Sequence, residues 1–164
     1  MFEFFKPEIA YYEVYSLTPE RLRELGIKAV LFDIDNTIAP YEVPTPTQRM
    51  KDYFASLDEA GIKCAFVSNN KGERVELFNK ELGLFNVCDA KKPFAKGMRI
   101  CIEHFGFDKS EVIAVGDQIF TDCMAAHAAG IKFVLVKPIN DVETLFFKLK
   151  RLGEKPFVKN LKWE

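Results

Sequence analysis

Val30-Leu31-Phe32-Asp33-Ile34-Asp35-Asn36-Thr37 is the stretch whose reading decides the fold. An apolar run feeds into two carboxylates one residue apart, the pattern of a buried strand with a reactive tip. Side chains alternate along extended chain, so Asp33 and Asp35 point the same way if the strand continues, and both then face one substrate atom.

Outward from that stretch, apolar runs and helical repeats alternate. Thr18-Pro19-Glu20 opens a helix with a hydroxyl cap and a proline in the first turn, and Gly26 closes it. The first strand is predicted at about 28–33. Pro40, Pro44 and Pro46 make the next segment a stiff loop, and Met50, Tyr53, Phe54 and Leu57 then recur at helical spacing up to Gly61. Ile62 to Val67 reads as a second strand, Val75, Phe78 and Leu82 as a helix face, and Leu84 to Cys88 as a short third strand. Phe94, Met98, Cys101 and Phe105 form another helix face; Val112 to Val115 is a strand, followed by an alanine-rich helix ending at Gly130. Ile131 to Val136 is the last strong strand, and Val142, Leu145, Phe146 and Leu149 give a final helix. This alternation predicts an α/β fold, a doubly wound parallel sheet covered on both faces, with right-handed crossovers.

Composition is that of an ordinary globular domain. The chain has 164 residues, 48% hydrophobic and 29% charged, and a formal net charge of −1, which gives no push toward nucleic acid. One domain is expected, burying roughly 70% of the surface its unfolded chain would expose. Cys64, Cys88, Cys101 and Cys123 stand apart, without a CxxC pair or histidines at metal-ligand spacing, and read as reduced core residues. No signal peptide or spanning segment is evident, so a cytoplasmic location is expected. His104 and His127 each lie alone in a predicted helix and read as structural.

The polar clusters all fall just after predicted strands: Asp33, Asp35 and Thr37; Ser68 and Asn69; Lys92; Asp117 and Asp122. In open α/β sheets ligands bind outside the carboxyl ends of the strands, so the clusters converge on one crevice. Each alone reads equally well as a turn or cap; their coincidence at one sheet end favours a site. Four acids crowded together call for a hard cation with oxygen ligands, Mg²⁺ first, and a lysine with hydroxyls beside it suits a phosphoryl group.

Asp33-x-Asp35-x-Thr37, Ser68 after the second strand, Lys92 before Pro93, and Gly116-Asp117 with Asp122 resemble the four motifs of the haloacid dehalogenase (HAD) superfamily of phosphotransferases, in their order and roughly their spacing. From about residue 17 to 150 the chain is similar to the small YqeG-type branch of subclass IIIA, including Asp-Asn-Thr, Ser-Asn-Asn, Lys-Lys-Pro and Gly-Asp-Gln. The resemblance implies that Asp33 attacks phosphorus to form an aspartyl-phosphate, while Asp35 protonates the leaving oxygen and then activates water. It implies that Thr37, Ser68 and Asn69 hold the phosphoryl group, that Lys92 rather than Lys91 neutralises charge, and that Asp33, the Asp35 carbonyl, Asp117 and Asp122 hold Mg²⁺. Arg74 is a candidate for a second substrate phosphate, against an exposed helix arginine as the plainer reading.

The stretches between motifs are too short for an inserted cap domain, so one capless domain is expected, with an open site closed by a large substrate or another subunit of a homo-oligomer. Relatives of the branch act on phosphatidylglycerophosphate, which implies a membrane-lipid head group as substrate. Small soluble phosphomonoesters and a non-catalytic interaction module stay open as alternatives. Phe2, Phe4, Phe5, Tyr11, Tyr12 and Tyr15 crowd one end, and residues 148–164 carry six basic against two acidic side chains, a balance of 6 − 2 = +4. Such ends suit peripheral contact with the inner face of a membrane, although packed aromatics and a solvated basic helix are the plainer reading.

Overall fold

The computed structural model describes residues 2–140 and 144–164, without the side chains of Phe2, Phe146 and Phe147. Six strands form one fully parallel sheet: β1 (Ile9–Tyr11), β2 (Ala29–Phe32), β3 (Lys63–Val67), β4 (Phe85–Val87), β5 (Val112–Gly116) and β6 (Lys132–Val136). Their spatial order is β1-β6-β5-β2-β3-β4, which puts β2, the strand leading to Asp33, beside β5 and β3 in the centre.

Burial on both faces explains why the strands are continuous apolar runs. Val30, Phe32, Phe66, Ile113 and Val134 point to one face, where they meet Tyr53, Phe54 and Leu57 of α2 (Gln48–Glu59) and Val75 and Phe78 of α3 (Gly72–Asn79). Leu31, Ala65, Val67, Ala114 and Phe133 point to the other, against Met98 and Cys101 of α4 (Lys96–Phe105) and the alanines of α5 (Met124–Ala129). Three of α5's alanines are buried; their small side chains let the helix lie close to the sheet. The helix α1 (Pro19–Glu24) starts as its sequence predicts, with Thr18 Oγ1 accepting from Arg21 N at 3.2 Å and Pro19 in the first turn. The last helix, α6, spans Leu145–Val158.

Three differences from the sequence reading stand out. Strand β1, pairing in parallel with β6 through Ile9 and Val134, was hidden because three residues show no periodicity. A π-helical turn, Ile119–Cys123, precedes α5. The final helix is present but runs on to Val158, and its Leu145 and Leu149 are 84% and 68% exposed, while Val142 lies outside the described residues. The amino-terminal aromatics, by contrast, mostly follow the plainer reading and pack inward. Phe5 lies 5.1 Å from Phe157 and 6.0 Å from Phe120, Tyr11 is buried, and Tyr15 stands edge-on to Tyr53 at 5.2 Å.

The four cysteines are unpaired, three of them buried. No helix among the described residues is long and apolar enough to cross a membrane.

Candidate active site

The loops leaving the carboxyl ends of β2, β3, β4 and β5 build the site. After Phe32 the chain stays tied to the sheet for one more residue, Asp33 N donating to Val115 O at 2.9 Å. It then turns sharply: Asn36 takes φ 61°, its N–H bonds Ala39 O at 2.8 Å, and Ile38 N bonds Ile34 O at 2.9 Å. Asparagine tolerates this left-handed conformation better than most residues. The turn leaves Asp33 and Asp35 lining the same cleft, of about 760 Å³, together with Ser68, Asn69, Lys92 and Asp122.

Lys92 is the electrostatic hub. Its Nζ lies 2.7 Å from Asp33 Oδ1, 2.7 Å from Asp122 Oδ1 and 2.8 Å from Val67 O, and the residue is 6% exposed. Burial alone would lower the ammonium's pKa, but Asp122 and Asp33 outweigh it and hold it protonated. Lys91 is exposed, with φ 54°. Asn69 fixes the lysine's backbone: its Oδ1 accepts from Lys92 N at 2.7 Å and its Nδ2 donates to Lys92 O at 3.1 Å. It lines the cleft, yet both ends of its amide are engaged by Lys92 rather than turned to a substrate.

One ammonium serves two carboxylates, so the acids remain under-compensated. Burial pushes Asp33 up to about 8, with Lys92 opposing and Asp122 and Asp117 adding to the rise. Burial and Asp122 push Asp117 up to about 7, against Arg151. Asp33, Asp117 and Asp122 offer carboxylate oxygens within 4.8 Å of one another, a hard, anionic donor set that fits a divalent cation such as Mg²⁺. Thr37, 2% exposed, donates toward Asp33 Oδ2 at 3.3 Å and Asp117 Oδ1 at 3.4 Å, so its hydroxyl braces two acids of this set. Ser68 Oγ accepts from Asn70 N at 3.0 Å at the cleft wall.

Arg74 is neither an exposed helix arginine nor a lining residue of the cleft. Its Nη2 donates to Asp35 Oδ1 at 3.2 Å, and its guanidinium lies 5.3 Å from the Phe78 ring. Asn70 Nδ2 donates to Asp35 Oδ2, so both oxygens of Asp35 are oriented by protein donors.

Sequence reasoning missed three participants. Arg151 Nη2 stands 2.5 Å from Asp117 Oδ2, and Lys150 Nζ donates to Gln118 Oε1 at 2.7 Å at the cleft wall. Asn70 is the third. Its place in Ser68-Asn69-Asn70 was a signal, whereas nothing local ties residues 150 and 151 to position 117.

Comparison with known proteins places the chain among known hydrolases. Residues 41–136 match the haloacid dehalogenase-like hydrolase family model. The Bacillus subtilis protein named "Probable phosphatase YqeG" is 31% identical over 160 residues, covering 98% of this chain and 93% of that protein. The chloroplastic/mitochondrial phosphatidylglycerophosphate phosphatase 1 of Arabidopsis thaliana is 28% identical, over 88% of this chain and 44% of its own length. Among solved structures, the cobalt-bound deoxy-D-mannose-octulosonate 8-phosphate phosphatase of Haemophilus influenzae shares the fold, with a TM-score of 0.57 at 12% identity over 82% of this chain and 89% of that one. The chain belongs to the haloacid dehalogenase-like hydrolase family, as one of its phosphatases.

Proposed function

We propose that this phosphatase hydrolyses the terminal phosphomonoester of phosphatidylglycerophosphate through an aspartyl-phosphate on Asp33. The observation that carries the chemistry is the grouping of Asp33, Lys92, Asp117 and Asp122 at the carboxyl ends of the central strands, with Asp35 on the same cleft. The lipid assignment draws on the 28% identity to a phosphatidylglycerophosphate phosphatase and on the connections beside the cleft, which hold no inserted domain to close it.

Asp33 attacks phosphorus as the carboxylate; the new bond from its Oδ to phosphorus forms as the bond to the leaving glycerol oxygen breaks. Burial keeps its pKa raised even with Lys92 beside it, so a bound cation would help hold it ionised. Asp35, oriented by Arg74 and Asn70, gives a proton to the leaving oxygen, then takes one from the water that cleaves the aspartyl-phosphate. Lys92 spreads positive charge toward the transferring oxygens, and Ser68 at the wall offers a hydroxyl to them. Asn69 keeps Lys92 in register. Thr37 orients the carboxylates of Asp33 and Asp117 through the hydroxyl between them. Mg²⁺, held by Asp33, Asp117, Asp122 and the Asp35 carbonyl, would neutralise the phosphoryl oxygens and lower the pKa of the buried acids.

The test is Mg²⁺-dependent phosphate release from phosphatidylglycerophosphate in mixed micelles, beside a panel of soluble phosphomonoesters and an Asp33→Asn control. A strong lipid preference that the control abolishes is the expected result. Turnover of soluble esters alone would discard the lipid. Failure of any Asp33-dependent turnover would discard the mechanism.

A further inference from the structure

Helix α6 turns both apolar and polar groups to the fold and still leaves a row of leucines outside. Toward the fold, Lys150 bonds Gln118, Arg151 pairs with Asp117, and Glu154, 4% exposed, accepts from Phe120 N at 2.8 Å. These contacts peg the helix to the turn that carries Asp122. On the other face, Leu145, Leu149 and Leu152 are spaced i, i+4, i+7 and are 84%, 68% and 56% exposed. None of the three belongs to either core cluster. Lys148 and Lys155 share that outward face and are exposed, as is Lys159 just past the helix end. The helix's one acid, Glu154, is turned inward.

A soluble fold ordinarily turns such a leucine stripe toward its core, and an apolar stripe left outside marks an interaction. The charge on this face selects the partner. Three leucines flanked by three lysines, with no carboxylate on this face among the described residues, match an acidic bilayer interface: the leucines reach the acyl boundary, the lysine stems lie along it, and the ammonium groups stay among the phosphates. A second copy of the chain, docked face to face, would set lysines against lysines.

The stripe also lies where it is useful. Thr144, the N-cap of α6, and Lys150 both line the cleft. On the same sheet end Tyr41 is 59% exposed at the cleft wall, and Phe94, 71% exposed, follows Lys92-Pro93. Ile139, 46% exposed, is tied to the catalytic turn by its N–H on Asn36 O.

We propose that α6 is a docking helix that seats the mouth of the cleft on an anionic phospholipid surface, with Leu145, Leu149 and Leu152 inserted and Lys148, Lys155 and Lys159 among the head groups. The purpose of the docking rests on the lipid-phosphatase reading; the docking itself is measurable without turnover.

The experiment is flotation of the full chain with vesicles of phosphatidylcholine alone or mixed with phosphatidylglycerol. Three proteins are compared: the unaltered chain, the double variant Leu149→Ser/Leu152→Ser, and the triple variant Lys148→Gln/Lys155→Gln/Lys159→Gln. Circular dichroism and hydrolysis of p-nitrophenyl phosphate serve as fold controls. The unaltered chain should float with the phosphatidylglycerol vesicles and lose binding in high salt. The serine variant should partition at least about tenfold less well, and the glutamine variant on the order of a hundredfold less, since each lysine near an anionic surface is worth about fivefold. Binding that is absent in the unaltered chain, or unchanged in both folded variants, overturns the proposal. A dimer of the unaltered chain that the serine variant dissolves assigns the face to a second copy and overturns it too. Vesicle binding without hydrolysis of phosphatidylglycerophosphate would overturn the substrate assignment and leave the docking standing.

Discussion

Arg151 reaches Asp117 across 34 residues, its Nη2 standing 2.5 Å from Oδ2 and its Nη1 donating to the Asp117 carbonyl at 3.1 Å. A cation from the last helix is thus bonded to an acid of the metal-binding set. Removing one partner of a buried pair leaves a charge without compensation. Arg151→Met should lower stability by about 1–3 kcal/mol in EDTA, less than for a fully buried pair because the guanidinium side chain is 23% exposed. Mg²⁺ bound at the three acids replaces the missing charge, so it should raise the thermal midpoint of the variant more than that of the unaltered protein. Equal Mg²⁺ shifts in both proteins would show that the arginine and the cation do not compensate the same carboxylate.

Lys92 and Lys91 separate cleanly by geometry. Lys92 has two carboxylates at 2.7 Å, and its neighbour is exposed. Lys92→Met should lower kcat for p-nitrophenyl phosphate by about 10²–10³-fold, the usual effect of losing one group that stabilises transition-state charge. Lys91→Ala should leave kcat within about twofold. A reversal of the two would remove Lys92 from the mechanism.

Gly116 is set by what lies beside it rather than by its backbone angles. A Cβ there would lie 2.5 Å from Asp122 Cγ and from its Oδ2, closer than real atoms approach. Gly116→Ala should therefore displace Asp122 while the sheet persists. Calorimetric titration with Mg²⁺ should show affinity reduced at least about tenfold in a protein whose circular dichroism is unchanged; retained affinity would mean that Asp122 moves and still binds.

Much of this was legible in the chain because both faces of the central strands are buried, so their apolar runs are unbroken and the acids at their ends stand out. Five of six strands could be read that way, and Asp33, Lys92, Asp117 and Asp122 do meet. Three kinds of feature escaped. Strand β1 is too short for a pattern and depends on β6 for its existence. The pairing of Arg151 with Asp117 is tertiary. The leucines of α6 have the periodicity of a core face and yet are exposed, since periodicity reports that a helix has an apolar side and not what covers it.

The amino-terminal segment offers a pH test away from the cleft. His127 Nδ1 donates to Phe4 O at 2.7 Å, and Nε2 lies 3.3 Å from Glu8 Oε2, which also accepts from Phe133 N at 2.7 Å. The neighbouring Cys123 thiol and Glu8 hold the imidazole's pKa up at about 10, above its ordinary 6.5. Because folding raises this pKa, the bonded imidazolium contributes stability in full below pH 6.5, and the contribution is lost as pH climbs toward about 10. His127→Gln removes that dependence. The difference in thermal midpoint between the unaltered protein and His127→Gln should be largest just below pH 6.5 and shrink steadily above it. A difference that stayed constant across that range would mean that His127 fastens the segment through its neutral ring, and that its charge adds nothing.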